Sequence, residues 1–163
     1  MKTTTRLLLI ACLSLPLLAA CNKDADDGGA VVAAPMSAPT GTDEEQWSAY
    51  LVDVVTRNLG DATSTYVYTL PAEDSADFQG YYDRQLEKAA GDVARGGVDG
   101  TLLAYGSPSS AKSADLAVAA FADAAPGSMK GVRMLFIGSP ADSARVQSVV
   151  APSGAEYVFV EAK

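Results

Sequence analysis

Gly-Ser-Pro occurs twice in the sequence, 32 residues apart, and each copy follows a short apolar run. The first copy begins at Gly106 after the run TLLAY, and the second begins at Gly138 after the run MLFI. A glycine permits a sharp exit from a strand, a serine at the next position can cap a helix, and a proline suits the first helical turn. The two triplets therefore predict two corners at which a strand passes directly into a helix.

Such corners could bind a small anion. Sheets of parallel strands bind ligands at the carboxyl ends of the strands, and the free N–H groups of a helix N-terminus attract phosphate or carboxylate. The candidate ligand-binding residues belong to these two corners and to a related corner after the first predicted strand. They are Ser75, Gly106, Ser107, Gly138 and Ser139.

Other observations favour a purely structural role for the same residues. The sequence contains neither of the glycine-rich nucleotide-binding motifs, GxGxxG or GxxxxGK[ST]. Glu73, Asp74 and Asp142 stand near the corners and would repel an anion. Because Gly-Ser-Pro is also suitable chemistry for a turn between a strand and a helix, we favour turn construction and keep the ligand site as the alternative.

The first twenty residues have the pattern of a secretory signal. Lys2 and Arg6 give a short basic start, and residues 7–20 follow as an apolar run that only Ser14 and Pro16 interrupt. As a helix this run would be about 21 Å long, shorter than the roughly 30 Å hydrocarbon core of a bilayer. The pattern therefore indicates a signal peptide rather than a stable membrane span.

Residues 18–21 (LAAC) end that run with an aliphatic residue, two small residues and a cysteine. This segment resembles the lipobox of bacterial lipoproteins, and the resemblance covers only the first twenty-odd residues. It implies that a diacylglycerol is joined to the Cys21 sulfur, that a peptidase cuts before Cys21, and that a fatty acid such as palmitate acylates the new amino group. Cys12 also fits the pattern formally, but cleavage there would leave an apolar region of about five residues, too short for a signal.

The residue after the cysteine indicates in which membrane a lipoprotein is anchored. In enterobacterial lipoproteins an aspartate at this position retains the protein in the inner membrane, and this chain has Asn22. The resemblance therefore implies the outer membrane, with the folded part facing the periplasm. Other bacteria read the following residues differently, so Lys23 leaves the inner membrane as the alternative.

The composition excludes several kinds of site. The sequence contains no histidine, which removes serine–histidine catalysis, histidine-ligated metals and haem, and simple histidine pH switching. Cys12 would leave with the signal and the Cys21 thiol would carry lipid, so the mature protein would have no disulfide, thiol nucleophile or cysteine metal site. We expect no metal and no cofactor.

The charge balance excludes further partners. The chain carries a net charge of −8, and loss of Lys2 and Arg6 with the signal changes it to −10. An acidic surface repels nucleic acid and anionic lipid headgroups. The expected partners are the membrane, through the lipid on Cys21, and a periplasmic protein.

The mature chain divides into a tether and one domain. Residues 21–41 are small, polar and interrupted by proline, which is typical of a flexible segment. Residues 42–163 then show helical and strand periodicities and have the length of one domain. The expected organisation is a signal peptide at 1–20, a lipidated tether at 21–41 and a single α/β domain at 42–163.

Helices and strands alternate through the domain. Thr42 and Glu45 have capping-box spacing at the start of the first helix, and Asp74 or Ser75 can cap the second. The remaining segments are a strand over 65–70, a helix closed by Gly96 and Gly97, strands over 101–105 and 132–137, helices over about 110–125 and 140–150, and a strand over 157–160.

The order α-β-α-β-α-β-α-β predicts a small layered α/β domain with a four-stranded, mostly parallel sheet. The runs TLLAY and MLFI are continuously apolar, as expected for strands that helices cover on both faces. Helices of this length between strands make right-handed crossovers. Whether the domain has two or three layers, and whether the first strand runs parallel to the others, stays open.

Four tyrosines form the candidate partner surface. They are Tyr66, Tyr68, Tyr81 and Tyr82, and Trp47 belongs to the same aromatic set. The alternative, which we favour, is that these rings pack the first two helices on the first strand and leave their hydroxyls in water.

Two functions compete for the domain. The first is a non-catalytic binding or interaction protein on the periplasmic side of a membrane, serving as an accessory of an envelope complex or as an inhibitor or immunity factor. The second is a small-anion binder or a histidine-independent enzyme that uses the Gly-Ser-Pro corners. We favour the first, and expect no enzyme, because the commonest catalytic residue types are absent.

Overall fold

Four α-helices and four strands alternate along residues 33 to 163, the part of the chain that this computed structural model describes, and a short 3-10 helix (Ala151–Ser153) follows the last α-helix. In chain order they are α1 (Glu44–Arg57), β1 (Ser64–Tyr68), α2 (Phe78–Ala94), β2 (Thr101–Gly106), α3 (Ser110–Phe121), β3 (Val132–Gly138), α4 (Pro140–Val150) and β4 (Glu156–Glu161). The predicted order is confirmed. The predicted signal peptide, Cys12, Cys21 and the tether up to residue 32 lie outside the described residues.

The four strands form one sheet in the order β1-β2-β3-β4, and every neighbouring pair is parallel. The predicted small α/β domain with a four-stranded, mostly parallel sheet is therefore confirmed. The direction of β1, which the sequence left open, is parallel. Each strand pairs with the strand that precedes it in the chain, so the order never reverses between β1 and β4.

Helices cover the two faces of the sheet unequally. On one face α2, α3 and α4 pack on alternate residues of the strands, among them Leu103, Met134 and Phe136. On the other face α1 alone packs on the intervening residues, such as Leu102 and Leu135. The domain has three layers, and the three helices that connect the strands share one face, as crossovers of one handedness require.

Some element boundaries differ from the predicted ones. The N-cap of α1 is Asp43, whose carboxylate accepts a hydrogen bond of 2.9 Å from the N–H of Gln46, so the prediction of a Thr42 cap was wrong by one residue. The second helix begins at Phe78 rather than near Asp74, because single turns between residues 72 and 78 precede it. Helix α3 ends at Phe121, four residues before its predicted end.

Residues 34 to 41 lie against the domain. The N–H of Ala38 donates to the carbonyl of Lys163 at 2.9 Å, and the N–H of Met36 donates to the carboxylate of Asp53 on α1 at 3.0 Å. The indole N–H of Trp47 donates to the carbonyl of Gly41 at 2.7 Å. This part of the segment expected to be tether is therefore held against α1 and the last residue of the chain.

Two buried tyrosines illustrate how α2 is fixed to the sheet. The rings of Tyr68 on β1 and Tyr105 on β2 stack with their centroids 4.7 Å apart, and both side chains are fully buried. The Tyr68 hydroxyl donates a hydrogen bond to the carboxylate of Asp92 on α2. The Tyr105 hydroxyl is buried and has no hydrogen-bond partner among the described residues.

The two hydroxyls predict opposite effects of the same substitution. Tyr105→Phe removes a buried polar atom without a partner and should raise the free energy of unfolding by about 1 kcal/mol, whereas Tyr68→Phe removes a made hydrogen bond and should lower it by about 1 kcal/mol. Urea unfolding followed by circular dichroism measures both values. A loss of stability in Tyr105→Phe equal to that in Tyr68→Phe would contradict the assignment.

Candidate functional site

The first Gly-Ser-Pro corner joins β2 to α3, and its serine hydroxyl is hydrogen bonded to neighbouring residues of the corner and of α3. The Ser107 side chain is buried, and its hydroxyl donates to the carbonyl of Ser109 at 3.0 Å and shares a hydrogen bond of 2.7 Å with the hydroxyl of Ser113. Ser109, not Ser107, caps α3. A Cβ atom at Gly106 would lie 2.7 Å from Leu51 of α1, so the glycine allows α1 to pack closely on the sheet.

The second corner joins β3 to α4 and is locked to the start of α3. The Ser110 hydroxyl accepts from the N–H of Ser139 at 2.7 Å and donates to the carboxylate of Asp142 at 2.6 Å. The Ser139 hydroxyl caps α4 and also donates to Asp142, at 2.8 Å. A Cβ atom at Gly138 would lie 2.6 Å from the Ser110 hydroxyl oxygen, so the glycine leaves the space that this bridge needs.

An arginine completes the bridge between the two helices. The Arg145 guanidinium donates to Asp142 at 3.0 Å, to Asp115 of α3 at 2.7 Å and to the carbonyl of Ala111 at 2.7 Å. Three cationic or hydroxyl donors thus converge on one carboxylate at the N-terminus of α4. An anionic ligand at this corner would have to compete with Asp142 for the same donors.

The network also sets the acidity of the carboxyl group. Burial of Asp142 favours its neutral form, but hydrogen bonds from Ser110, Ser139 and Arg145 outweigh that effect and hold its pKa below the ordinary value. Asp142 is therefore ionised at neutral pH, and its negative charge lies where the helix dipole favours it.

The corner after β1 is different, because it borders an open groove. The groove lies at the carboxyl end of β1, between the first half of α1 and the loop that connects β1 to α2, and has a volume of about 580 Å³. Such a volume is in the range of small-ligand sites. Apolar side chains form most of its wall, namely Trp47, Leu51, Val52, Val67, Leu70, Pro71, Tyr81 and Pro108.

The groove is open because α1 does not cover β1. The strand residues that pack against α1 come from β2, β3 and β4. The pairing register places Thr65 and Val67 of β1 on the same face as Leu102 and Ala104 of β2, yet both β1 residues are exposed. Val52 of α1 borders the uncovered strip and is 63 % exposed. A strip of apolar surface along β1 thus lacks a covering element among the described residues.

The predicted ligand residue Ser75 belongs to the groove, apart from the other four. It lines the groove wall, and its hydroxyl is buried without a hydrogen-bond partner among the described residues. Gly106, Ser107, Gly138 and Ser139 do not line the groove, although Ser109 beside the first corner donates to Glu73 of the groove loop at 2.6 Å. The structure therefore does not bring the five predicted residues into one site.

The rim of the groove is acidic. Glu44 and Asp77 are the charged residues that line it within the part of the chain that the structure describes. Arg84 pairs with Asp77 at 3.0 Å, in a surface contact that water screens. No ion pair involves the Glu44 side chain among residues 33 to 163, so Glu44 contributes one unpaired carboxylate to the rim.

The four tyrosines of the predicted partner surface do not form one exposed patch. Tyr68 is fully buried, Tyr66 is 42 % exposed at the free side of β1, and Tyr81 is partly buried in the groove wall. Tyr82 is partly buried between helices, where burial and the carboxylate of Asp115 raise the pKa of its hydroxyl. Of the four tyrosines, Tyr81 alone lines the groove.

The groove itself was not predicted from the sequence. Trp47 and Leu51 were correctly assigned to the apolar face of α1, but that periodicity does not show how many strands α1 covers. Val52 is apolar but lies outside the helical spacing of that face. It was the one signal in the sequence that could have indicated an exposed apolar surface on α1.

No group of three or more aspartate, glutamate, histidine or cysteine residues is placed to hold a metal ion within residues 33 to 163. None of the helices in the same range is long and apolar enough to cross a membrane. The chain matches no known protein family, and no curated protein or solved structure is significantly similar to it.

The Asp142 network predicts a pH-dependent contribution to stability. Because the pKa of Asp142 is lowered on folding, its contribution is complete above the ordinary carboxyl pKa and is lost as the pH falls through the lower folded-state pKa, below about pH 4. Asp142→Asn should lower the free energy of unfolding at pH 7 by about 1 kcal/mol and flatten its decrease in acid.

Urea unfolding between pH 7 and pH 3 measures this effect. Asp115→Asn is the matched control, since it removes a more exposed partner of the same Arg145 and should cost less stability. An Asp142→Asn profile parallel to that of the unchanged protein would contradict the role of the network.

Proposed function

We propose that this chain is a lipid-anchored, non-catalytic binding protein of the bacterial cell envelope. Its lipid is carried by Cys21, it lies on the periplasmic side of the outer membrane, and its binding surface is the groove beside β1. It would serve as an accessory of an envelope complex or as an inhibitor or immunity factor. The LAAC segment supports the anchor, and the uncovered apolar groove supports the binding role.

The groove is the observation that carries the binding role. Its wall is mostly apolar, and its volume of about 580 Å³ is in the range of small-ligand sites. Leaving Val52 and Val67 in water has a cost that a bound partner would remove.

The alternative, an anion binder or enzyme at the Gly-Ser-Pro corners, gains no support from the geometry. The hydroxyls of Ser107 and Ser139 are hydrogen bonded within their own corners, and the donors of the second corner already converge on Asp142. Turn construction accounts for Gly106 and Gly138 by the close contacts they permit. We therefore propose one binding surface, at the groove.

The proposed anchor has a direct test. In a bacterial host supplied with labelled palmitate, Cys21→Ser should abolish labelling of the chain and its recovery in the membrane fraction. Cys12→Ser is the matched control and should keep both, because Cys12 belongs to the segment that is removed. Equal labelling of the two variants would contradict lipidation at Cys21.

The proposed binding surface can be tested by site-specific photo-cross-linking in the envelope. A benzophenone amino acid replaces Val52 in the groove or, as a matched control, Val98, which is 71 % exposed and does not line the groove. We expect light-dependent adducts of one defined mass from position 52 and none from position 98. Absence of adducts at position 52, or the same adducts at both positions, would contradict the proposal.

A further inference from the structure

Strand β1 forms one edge of the sheet. Among the described strands it pairs with β2 alone, and the pairing is parallel from Ser64 to Tyr68. The backbone N–H and C=O groups on its other side are therefore without strand partners among residues 33 to 163. Such an edge is a template on which another extended chain can pair.

The edge also lacks the features that usually prevent such pairing. Sheet edges are commonly protected by charged residues, by proline or by a bulge. The sequence of β1, STYVY, contains no charge and no proline, and its first four residues are exposed. The opposite edge strand, β4, carries Glu156 and Glu161 at its two ends. The two edges of this sheet are thus unequal, and β1 is the one open to pairing.

The free edge leads directly into the groove. Val67 belongs to β1 and lines the groove, and Thr69 and Leu70 continue the same wall. Trp47 and Val52 stand on the α1 side. In an added strand, successive side chains point to opposite faces, so every second side chain would lie over the strip that α1 leaves uncovered.

Charge specifies the chemistry of the occupant. The charged residues that line the groove are Glu44 and Asp77, and Arg84 beside the groove already pairs with Asp77 at 3.0 Å. Glu44 is therefore the lining carboxylate without an ion pair among residues 33 to 163. The whole chain is acidic, with a net charge of −8. An apolar segment that also carries lysine or arginine complements this surface, whereas an acidic segment is repelled.

We infer that β1 binds an extended, apolar segment of a partner protein that carries basic residues, by adding it as a fifth strand to the sheet. This inference rests on the proposed function, since it specifies what fills the groove. Backbone hydrogen bonds to β1 supply affinity, and apolar side chains over the groove and a basic residue near Glu44 supply selectivity.

A synthetic peptide, KVTVTVK with blocked ends, tests the inference on the full-length chain purified in detergent. Trp47 is the only tryptophan and lines the groove, so its fluorescence reports occupancy. We expect a saturable fluorescence change, together with about tenfold slower hydrogen exchange of the Thr65 and Val67 amides. These amides point away from β2, because the N–H of Ser64 donates to the carbonyl of Gly100 and the direction alternates along the strand. A fluorescence change without protection of these amides would overturn strand addition.

Two further peptides separate the contributions. KVPVPVK keeps the charge and apolar residues but loses two backbone N–H donors, and EVTVTVE keeps the strand propensity but reverses the charge. Each should bind at least about tenfold more weakly than KVTVTVK. Equal binding of KVPVPVK would overturn backbone pairing, and equal binding of EVTVTVE would overturn the selectivity for basic segments.

A variant of the edge supplies an independent test. Thr65→Lys places a charge on the exposed strand outside the groove wall, and Thr65→Val is its uncharged control. Thr65→Lys should weaken KVTVTVK binding by about tenfold or more, and Thr65→Val should preserve it. Equal affinities of the two variants would overturn the inference.

The remaining outcomes distinguish other occupants and the two proposals. Protection of the Thr65 and Val67 amides before any peptide is added would assign the edge to another segment of this chain in a monomer, or to a second copy in a dimer detected by light scattering; either result overturns the inference. Cross-linking at position 52 with no binding of KVTVTVK would leave the proposed function standing and remove only strand addition. Failure of both experiments would remove both.

Discussion

A helix is about 10 Å wide and neighbouring strands are about 4.8 Å apart, so a single helix is too narrow to cover all four strands of a sheet, and α1 contacts three of them. The difference in width determines which part of the sheet stays uncovered, because three connecting helices share one face and α1 alone occupies the other. Helix α1 packs on the β2–β4 side of the sheet. The apolar groove, the exposure of Val52 and Val67, and the free edge at β1 all follow from that placement.

Polar groups at the carboxyl ends of β2 and β3 are hydrogen bonded to one another. Ser110 joins the two Gly-Ser-Pro corners by bonding to Ser139 and Asp142, and Arg145 extends the link back to α3. Once those donors are satisfied internally, the corners fix the spacing of neighbouring helices. The open groove lies instead at the carboxyl end of β1, away from these two corners.

The sequence predicts the fold well and the groove poorly, for physical reasons. Element type follows from local periodicity, so the alternation of helices and strands and the parallel sheet could be read from residues such as those of TLLAY. Caps depend on single side-chain choices, and at α1 the carboxylate of Asp43 replaced the hydroxyl of Thr42. Which strands a helix covers is a tertiary property, so Val52 and Val67 could be recognised as a surface only in the fold.

The strictly sequential strand order has a consequence for how the domain assembles. Because every strand after β1 pairs with the strand made just before it, each pairing closes a loop that contains a single connecting helix. Synthesis would therefore build the sheet in one direction, one βα unit at a time, starting from β1. The edge strand β1 is then also the first strand of the growing sheet, and no later strand of the described residues pairs with its outer side.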